Sequence, residues 1–129
     1  MDTTPPTRAR TGSWVLRAAV ILHLLALLWE AATAGQLVTF NLEALPLHYA
    51  GAFAVHIAAG VQVLAAAWVW FGSGRTHGTT LLALSTVSLL LGFVQATTGT
   101  YGPLQAHVPL AMALTGLVAC TAVMAWRRC

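Results

Sequence analysis

Histidines interrupt two apolar runs of this chain. In LPLHYAGAFAVHIAAG, residues 45–60, they are His48 and His56, and in LQAHVPLA, residues 104–111, the histidine is His107. A neutral imidazole is the commonest metal ligand in proteins, and it also gains and loses protons near neutral pH. The chemistry that these positions indicate is therefore metal ligation, ligation of a heme iron, or proton transfer.

The histidines lie in segments that predict membrane-spanning helices. Of the 129 residues, 58% are hydrophobic and 7% are charged, whereas soluble domains carry about a quarter charged residues. A helix needs about 20 apolar residues to cross a bilayer, and four segments satisfy this: 14–34, 47–71, 79–98 and 107–126. We therefore expect an all-α integral membrane four-helix bundle over 14–128, preceded by a flexible cytoplasmic tail over 1–13.

The basic residues predict the orientation of these helices. All six are arginines, and the predicted connections 35–46 and 99–106 contain none of them. Because cytoplasmic loops are enriched in Lys and Arg, both termini are expected in the cytoplasm, as in a multi-pass protein of a prokaryotic plasma membrane. The formal net charge of +3 then reflects the orientation of the chain in the membrane. The expected partner is therefore the lipid bilayer, and no nucleic acid partner is expected.

This topology places His48 and His107 at one depth, near the outer face, where two inward-running helices begin. Helices 2 and 4 of a four-helix bundle are adjacent or diagonal, so the two imidazoles could face each other as the axial ligands of a heme b iron. His56 lies about 12 Å deeper at 1.5 Å per residue, at a depth similar to that of His23. Polar groups within a membrane are functional candidates by default, although a lone histidine can also simply bond to a neighbouring helix.

Further polar side chains lie near the predicted outer site. Glu30 on helix 1 and Gln95 on helix 3 are close to the outer ends of their helices. Gln95, His23 and His56 are candidates either for support of the outer heme or for a second, deeper site. Two macrocycles would be crowded at this spacing, which disfavours a second heme. Glu30 is a candidate proton relay at the heme edge, or else it reaches the lipid headgroups.

The two halves of the chain resemble each other faintly. WEAATAG followed by LPLHYAGA, in the first half, has its counterpart in VQATTGTYGPLQAHVPLA in the second. Each half has a polar residue, then small residues, then Pro-Leu before a histidine. Such a repeat predicts two helix pairs related by an axis along the membrane normal, which brings the histidines to opposite faces of one site. Pro109 is expected in the first turn of helix 4, where proline is tolerated.

These residues resemble one half of a heme A synthase, the family that oxidises a methyl group of heme O. FVQATTGTYGPLQAHVPLAMALTG is similar to the family's passage from the third helix to the fourth. The resemblance implies a four-helix half in which His48 and His107 ligate a heme, with heme O or heme A as substrate or product. The family's helix-2 histidine follows a glutamate by three residues and precedes an arginine, whereas here Glu43 is five residues away and Tyr49 replaces the arginine. Glu43 and Glu30 are the candidate catalytic carboxylates.

The sequence thus predicts a heme b-binding membrane protein that acts in electron transfer or heme modification. Whether it is a heme A synthase-like oxidoreductase stays open, because the departures concern the catalytic residues more than the heme ligands. A homodimer would restore an eight-helix arrangement, and a respiratory-chain protein is the other expected partner. The alternative is a non-catalytic transmembrane subunit, or a small bundle that handles protons or quinol without heme.

Overall fold

The computed structural model consists of four long helices. It describes the backbone of residues 7–72 and 75–128, and the side chains of 11–72 and 78–127. The helices are α1 (Thr7–Val38), α2 (Leu45–Gly72), α3 (Arg75–Tyr101) and α4 (Leu104–Arg128), with a 3₁₀ turn at Leu42–Ala44 between α1 and α2. Each of the four is long and apolar enough to span a membrane, so the predicted all-α class is confirmed.

Every helix is longer than the sequence predicts. Residues 7–13, expected in a flexible tail, form the first turns of α1, and residues 1–6 lie outside the described part of the chain. His77, which lies between the predicted segments 47–71 and 79–98 and was therefore expected in their connecting loop, belongs to the first turn of α3. The reason is that apolar length defines the hydrocarbon-crossing part of a helix, whereas backbone hydrogen bonding continues into its polar flanks.

The helices form a closed ring in which each packs against its neighbours in the chain and α1 also packs against α4. Helices α2 and α4 therefore lie diagonally across the bundle. One end of the bundle carries His48 and His107 and is called the histidine end below. The other, with Arg17 and Arg127, is called the arginine end.

The arginine end is filled by a mostly apolar core. All four helices supply its fully buried apolar side chains: Leu16, Val20, Ala66, Leu81, Leu114, Val118 and Ala125. The one fully buried hydroxyl beyond Val118, that of Thr121, donates to the carbonyl of Leu117 in its own helix. The guanidinium of Arg17 lies 4.8 Å from the ring centroid of Trp14 and 5.5 Å from that of Trp126. Its Nε also donates a hydrogen bond of 3.3 Å to the carbonyl of Ala125. These contacts fasten α1 to α4 at the arginine end.

The turn between α1 and α2 sets where α2, the helix that carries His48, begins. The N–H of Phe40 donates to the carbonyl of Leu37 at 3.0 Å, and that of Asn41 donates to Gln36 at 3.1 Å. This is the bonding pattern of a Schellman C-cap, and Phe40 has the left-handed conformation that the motif requires, with φ at 64°. The chain therefore turns within a few residues and returns as α2.

Pro109 is not in the first turn of α4, contrary to the prediction. Helix α4 begins at Leu104, which places Pro109 inside the helix. Proline has no backbone N–H, so the carbonyl of Gln105 receives no helical hydrogen bond. The prediction failed because it took His107 as the first helical residue, whereas the helix extends three residues further toward the α3–α4 turn.

Candidate functional site

His48 of α2 and His107 of α4 face each other across the diagonal of the bundle. Their ring centroids are 6.4 Å apart, and the ring planes are inclined by 74°. Both side chains are half-buried. The sequence predicted this juxtaposition from their equal depth, and the diagonal placement of α2 and α4 explains why the rings meet across the interior.

Side chains of α1 hold the His48 ring. Its Nδ1 lies 2.9 Å from the hydroxyl of Thr33 and 3.3 Å from Oε2 of Glu30. The Thr33 hydroxyl itself donates to the carbonyls of Trp29 and Glu30, both at 3.1 Å. The hydroxyl oxygen and the carboxylate are thus the acceptors, so Nδ1 carries the proton and Nε2 keeps its lone pair.

Gln95 of α3 holds the His107 ring in the same tautomer. Nδ1 of His107 donates to the backbone carbonyl of Gln95 at 2.9 Å. The side-chain Nε2 of Gln95 lies 3.2 Å from each ring nitrogen, and it can donate only to the ring Nε2, which bears the lone pair. In each half of the chain, one residue of the odd-numbered helix thus accepts from the Nδ1 of the histidine: Glu30 with its carboxylate for His48, and Gln95 with its backbone carbonyl for His107.

Each of these contacts depends on a glycine. A Cβ built at Gly99 would lie 2.5 Å from Cε1 and 2.6 Å from Nδ1 of His107, closer than real Cβ contacts. A Cβ at Gly51 would collide with Oε1 of Glu30 and with the Trp29 ring. The absence of a side chain at these positions lets the polar groups approach the neighbouring helix.

The facing rings line a cavity of about 500 Å³ at the histidine end, a volume typical of small-molecule and cofactor pockets. Helices α1 and α4 supply most of its apolar wall, including Ala31, Ala34, Val108, Ala111 and Met112. Its polar groups are Glu30, His48, His56, Gln95, His107 and Thr115. Two of the polar atoms, Oε1 of Glu30 and Nε2 of His56, are buried and have no hydrogen-bond partner among the described residues.

A second set of polar side chains lies deeper in the bundle. His23 is fully buried, and its Nδ1 lies 2.8 Å from Oε1 of Gln62. The amide of Gln62 donates in turn to the hydroxyl of Ser85 at 3.1 Å. The oxygen of Gln62 therefore accepts from Nδ1–H of His23, and Nε2 of His23 is left buried without a described partner.

His56 lies between the cavity and this deeper set. Its Nδ1 donates to the carbonyl of Ala52 at 2.6 Å, and its ring packs 4.5 Å, centroid to centroid, from Phe93. All four histidines of the apolar segments thus have Nδ1 bound to an acceptor and Nε2 carrying a lone pair. Such outer hydrogen bonds commonly fix the tautomer and orientation of histidines that ligate a metal.

The structure brings together most of the predicted site residues. His48, His107, Glu30, Gln95 and His56 line one cavity, and His23 lies outside its lining. Glu43 is exposed on the 3₁₀ turn and does not line the cavity either. Helix α1 continues to Val38, beyond its predicted end at residue 34, so Glu30 is about two turns from the end of the helix rather than the one turn that the predicted end implies.

Sequence reasoning missed Gln62 and Thr33, the hydrogen-bond partners of His23 and His48. Gln62 is a fully buried amide in the otherwise apolar stretch GVQVLAAAW. The rule that singled out the histidines, that polar side chains in apolar spans are functional candidates, applies to it equally. Thr33 gave no such signal, because threonine is common in membrane helices and usually bonds to its own backbone.

The described side chains contain no group of three or more His, Cys, Asp or Glu that could enclose a metal ion. Comparison of the chain with protein-family models, with curated proteins and with solved structures yields no match.

Proposed function

We propose that this chain is a heme b-binding integral membrane protein whose axial ligands are His48 and His107. The observation that carries the proposal is the pair of facing rings, 6.4 Å apart, whose Nδ1 atoms are bound to acceptors. A porphyrin supplies four nitrogen ligands, so two protein ligands complete the coordination of its iron.

The separation of the two rings would allow both histidines to hold one metal ion. Histidine nitrogens bind metals at about 2.0 Å, which places two opposed imidazole centroids about 6 Å apart. Because each ligand plane contains the metal–nitrogen axis, the inclination of 74° between the rings is compatible with this arrangement. The Gln95 amide must then release Nε2 of His107, while the bond from Nδ1 to the backbone carbonyl is kept.

The surrounding residues would determine what such a group does. A bound heme supplies one-electron redox chemistry, tuned by ligand identity, burial and hydrogen bonds to the ligands. Glu30 and Thr33 orient His48, Gln95 orients His107, and the apolar walls of α1 and α4 would exclude water from a bound macrocycle. This suits electron transfer. Heme modification, as in the heme A synthases that the chain resembles, would further require Glu30 or Glu43 to handle protons.

A cavity without heme is the alternative, and one observation favours it. Oε1 of Glu30 and Nε2 of His56 are both unpartnered acceptors in the lining of the cavity. A quinol would donate its two hydroxyl hydrogens to such acceptors. The chain would then be a small quinol- or proton-handling bundle.

The absorption spectrum of the purified protein distinguishes these functions. Expressed in cells that make heme and extracted in mild detergent, the chain should show a Soret band that shifts on reduction, with a low-spin spectrum and one heme per chain. A colourless preparation that stays unable to bind added heme would contradict the heme proposal and leave the quinol alternative.

The membrane topology is tested separately. We propose that the four helices span a prokaryotic plasma membrane with both termini in the cytoplasm, because every arginine lies at or beyond the arginine end, Arg75 being the first residue of α3. A reporter fused after Arg128 should be active only in the cytoplasm, and one inserted at Asn41 only outside. The reverse pattern would place the histidine end at the cytoplasmic face.

Replacement of Glu30 by glutamine should raise the reduction potential of the bound heme. A carboxylate that accepts the Nδ1–H of His48 strengthens the imidazole as a donor and favours the ferric state. The glutamine amide keeps the shape of the side chain but loses its charge. Each tenfold decrease in the equilibrium preference for the ferric over the ferrous state raises the reduction potential by about 59 mV. Glu43→Gln, on the exposed 3₁₀ turn, is the matched control. Equal potentials in Glu30→Gln and in the unaltered protein would show that Glu30 does not act on the ligand.

A further inference from the structure

A second, shallow groove lies on the flank of the bundle at the arginine end. It has a volume of about 350 Å³ and follows the seam between α1 and α4, lined by Ile21, Ala122, Val123, Trp126 and Arg127. The aliphatic side chains of Ile21 and Val123 are exposed. In a bundle that spans a membrane, such a flank is in contact with lipid, and this groove is separate from the cavity at the histidine end.

The groove is apolar in its deeper part and cationic at its outer end. Ile21 on α1 lies one turn deeper than Arg17, about 6 Å at 1.5 Å per residue. Arg127 on α4 lies one turn beyond Val123 in the outward direction. The ring of Trp126, which also lines the groove, is 5.5 Å from the guanidinium of Arg17. Two guanidinium groups therefore lie at the outer end of an apolar groove.

The carboxylates of the chain do not offset this charge within its described part. Glu30 lines the cavity at the histidine end, and Glu43 lies on the 3₁₀ turn beyond it. The third acid, Asp2, is outside the described residues. All six arginines, in contrast, lie at or beyond the arginine end. The charge at this end is thus complementary to an anion that is joined to an apolar chain.

We propose that the groove binds one anionic phospholipid, such as phosphatidylglycerol. An acyl chain lies along Ile21, Ala122 and Val123, and the phosphate lies at Arg127. The planar guanidinium presents a fork of N–H donors that matches phosphate oxygens, and basic pockets between membrane helices on the cytoplasmic side bind anionic headgroups. A lipid is favoured over a protein partner because one molecule satisfies both the exposed apolar lining and the charge at its end. The inference rests on the membrane insertion proposed above and is independent of heme.

Native mass spectrometry of the full chain in detergent, with added phosphatidylglycerol or phosphatidylcholine of the same acyl chains, measures the binding. The unaltered chain should retain one phosphatidylglycerol and bind it more tightly than phosphatidylcholine. Arg127→Gln should weaken phosphatidylglycerol binding about fivefold, the effect of one arginine near an anionic membrane surface. Arg75→Gln is the matched control, because it removes the same charge at the first residue of α3, away from the lining of the groove, and should leave the affinity unchanged.

Ile21→Trp tests the apolar part of the groove while every charge is kept. The larger side chain should fill the space of the acyl chain and weaken phosphatidylglycerol binding. Leu22→Trp is its control, since Leu22 is the adjacent residue, is also exposed and does not line the groove. The affinity of Leu22→Trp should equal that of the unaltered chain.

Four results would overturn the proposal. Equal affinities for the two lipids would remove the selectivity for an anion. Equal losses in Arg127→Gln and Arg75→Gln would show that the overall charge attracts the lipid without a site. Equal affinities in Ile21→Trp and Leu22→Trp would show that no acyl chain occupies the groove. Displacement of the lipid by glycerol phosphate would show that the arginines bind an anion alone.

Thermal unfolding in detergent is the second measurement and needs no variant. Because a ligand that binds only the folded state stabilises it, phosphatidylglycerol should raise the Tm of the unaltered chain more than phosphatidylcholine does. Equal Tm values with the two lipids contradict the inference. Release of the chain from membranes by alkaline carbonate would instead contradict the proposed membrane insertion, whereas an embedded chain without preference for phosphatidylglycerol contradicts only the lipid site.

Discussion

Replacing either His48 or His107 by alanine should abolish the low-spin bis-histidine absorption of the purified protein. In the proposed heme site each of the facing rings, 6.4 Å apart, would supply one axial position. His56, the other imidazole in the cavity lining, is eight residues further along α2 than His48, about 12 Å deeper, and should not take over. The hydrogen-bond partners that remain, Thr33 and Glu30 for one ring and Gln95 for the other, offer only oxygen or amide ligands, which bind heme iron far more weakly. Heme content and the reduced-minus-oxidised spectrum are the measurements.

Three further alanine variants serve as controls for ligand loss. His77→Ala, in the first turn of α3, should keep the full spectrum. His23→Ala and His56→Ala should keep the low-spin bands, because their rings belong to the deeper polar set rather than to the facing pair. If the deeper variants lose heme while His48→Ala and His107→Ala retain it, the heme site is in the middle of the bundle and the assignment made here is wrong.

The sequence could predict most of the residues at the site because few side chains were candidates. Polar side chains are rare in the apolar segments, so depth alone could pair His48 with His107. Depth follows from helical rise and from the distribution of arginines. Facing rings additionally require α2 and α4 to lie diagonally with the right rotation, and this follows from packing that a single sequence does not reveal.

The same limits explain which contacts were missed. The partner of His48 comes from α1 because Gly51 lets Glu30 and Trp29 approach α2 closely, and a small residue in a helix does not identify the side chain that will fill the space. The predicted helices were too short because hydropathy indicates which residues face lipid. The helix ends are set instead by backbone hydrogen bonding, such as the cap at Phe40. The contacts among His23, Gln62 and Ser85 were missed because predicting them requires the rotation of α1, α2 and α3 about their axes to be known.

Gly99→Ala should release His107 from its position and cost most of the heme affinity. The new methyl group would stand 2.5 Å from Cε1 and 2.6 Å from Nδ1 of the ring. The ring cannot retreat without breaking the bond from its Nδ1 to the Gln95 carbonyl, which fixes the lone pair on Nε2. Overpacking of this kind costs about 1–3 kcal/mol, and each 1.4 kcal/mol is a factor of about ten in affinity.

The matched control for Gly99→Ala is Gly116→Ala, a substitution in a helix where the new methyl group meets nothing within 4 Å. Both changes favour helix formation by about 1 kcal/mol, so a selective loss of heme in Gly99→Ala would come from the ring contact and not from the backbone. Titration of heme into the apoprotein should give a dissociation constant at least about tenfold higher for Gly99→Ala, and an unchanged one for Gly116→Ala. Equal constants for the two variants would mean that His107 binds iron from a different ring position, or that it does not bind iron at all.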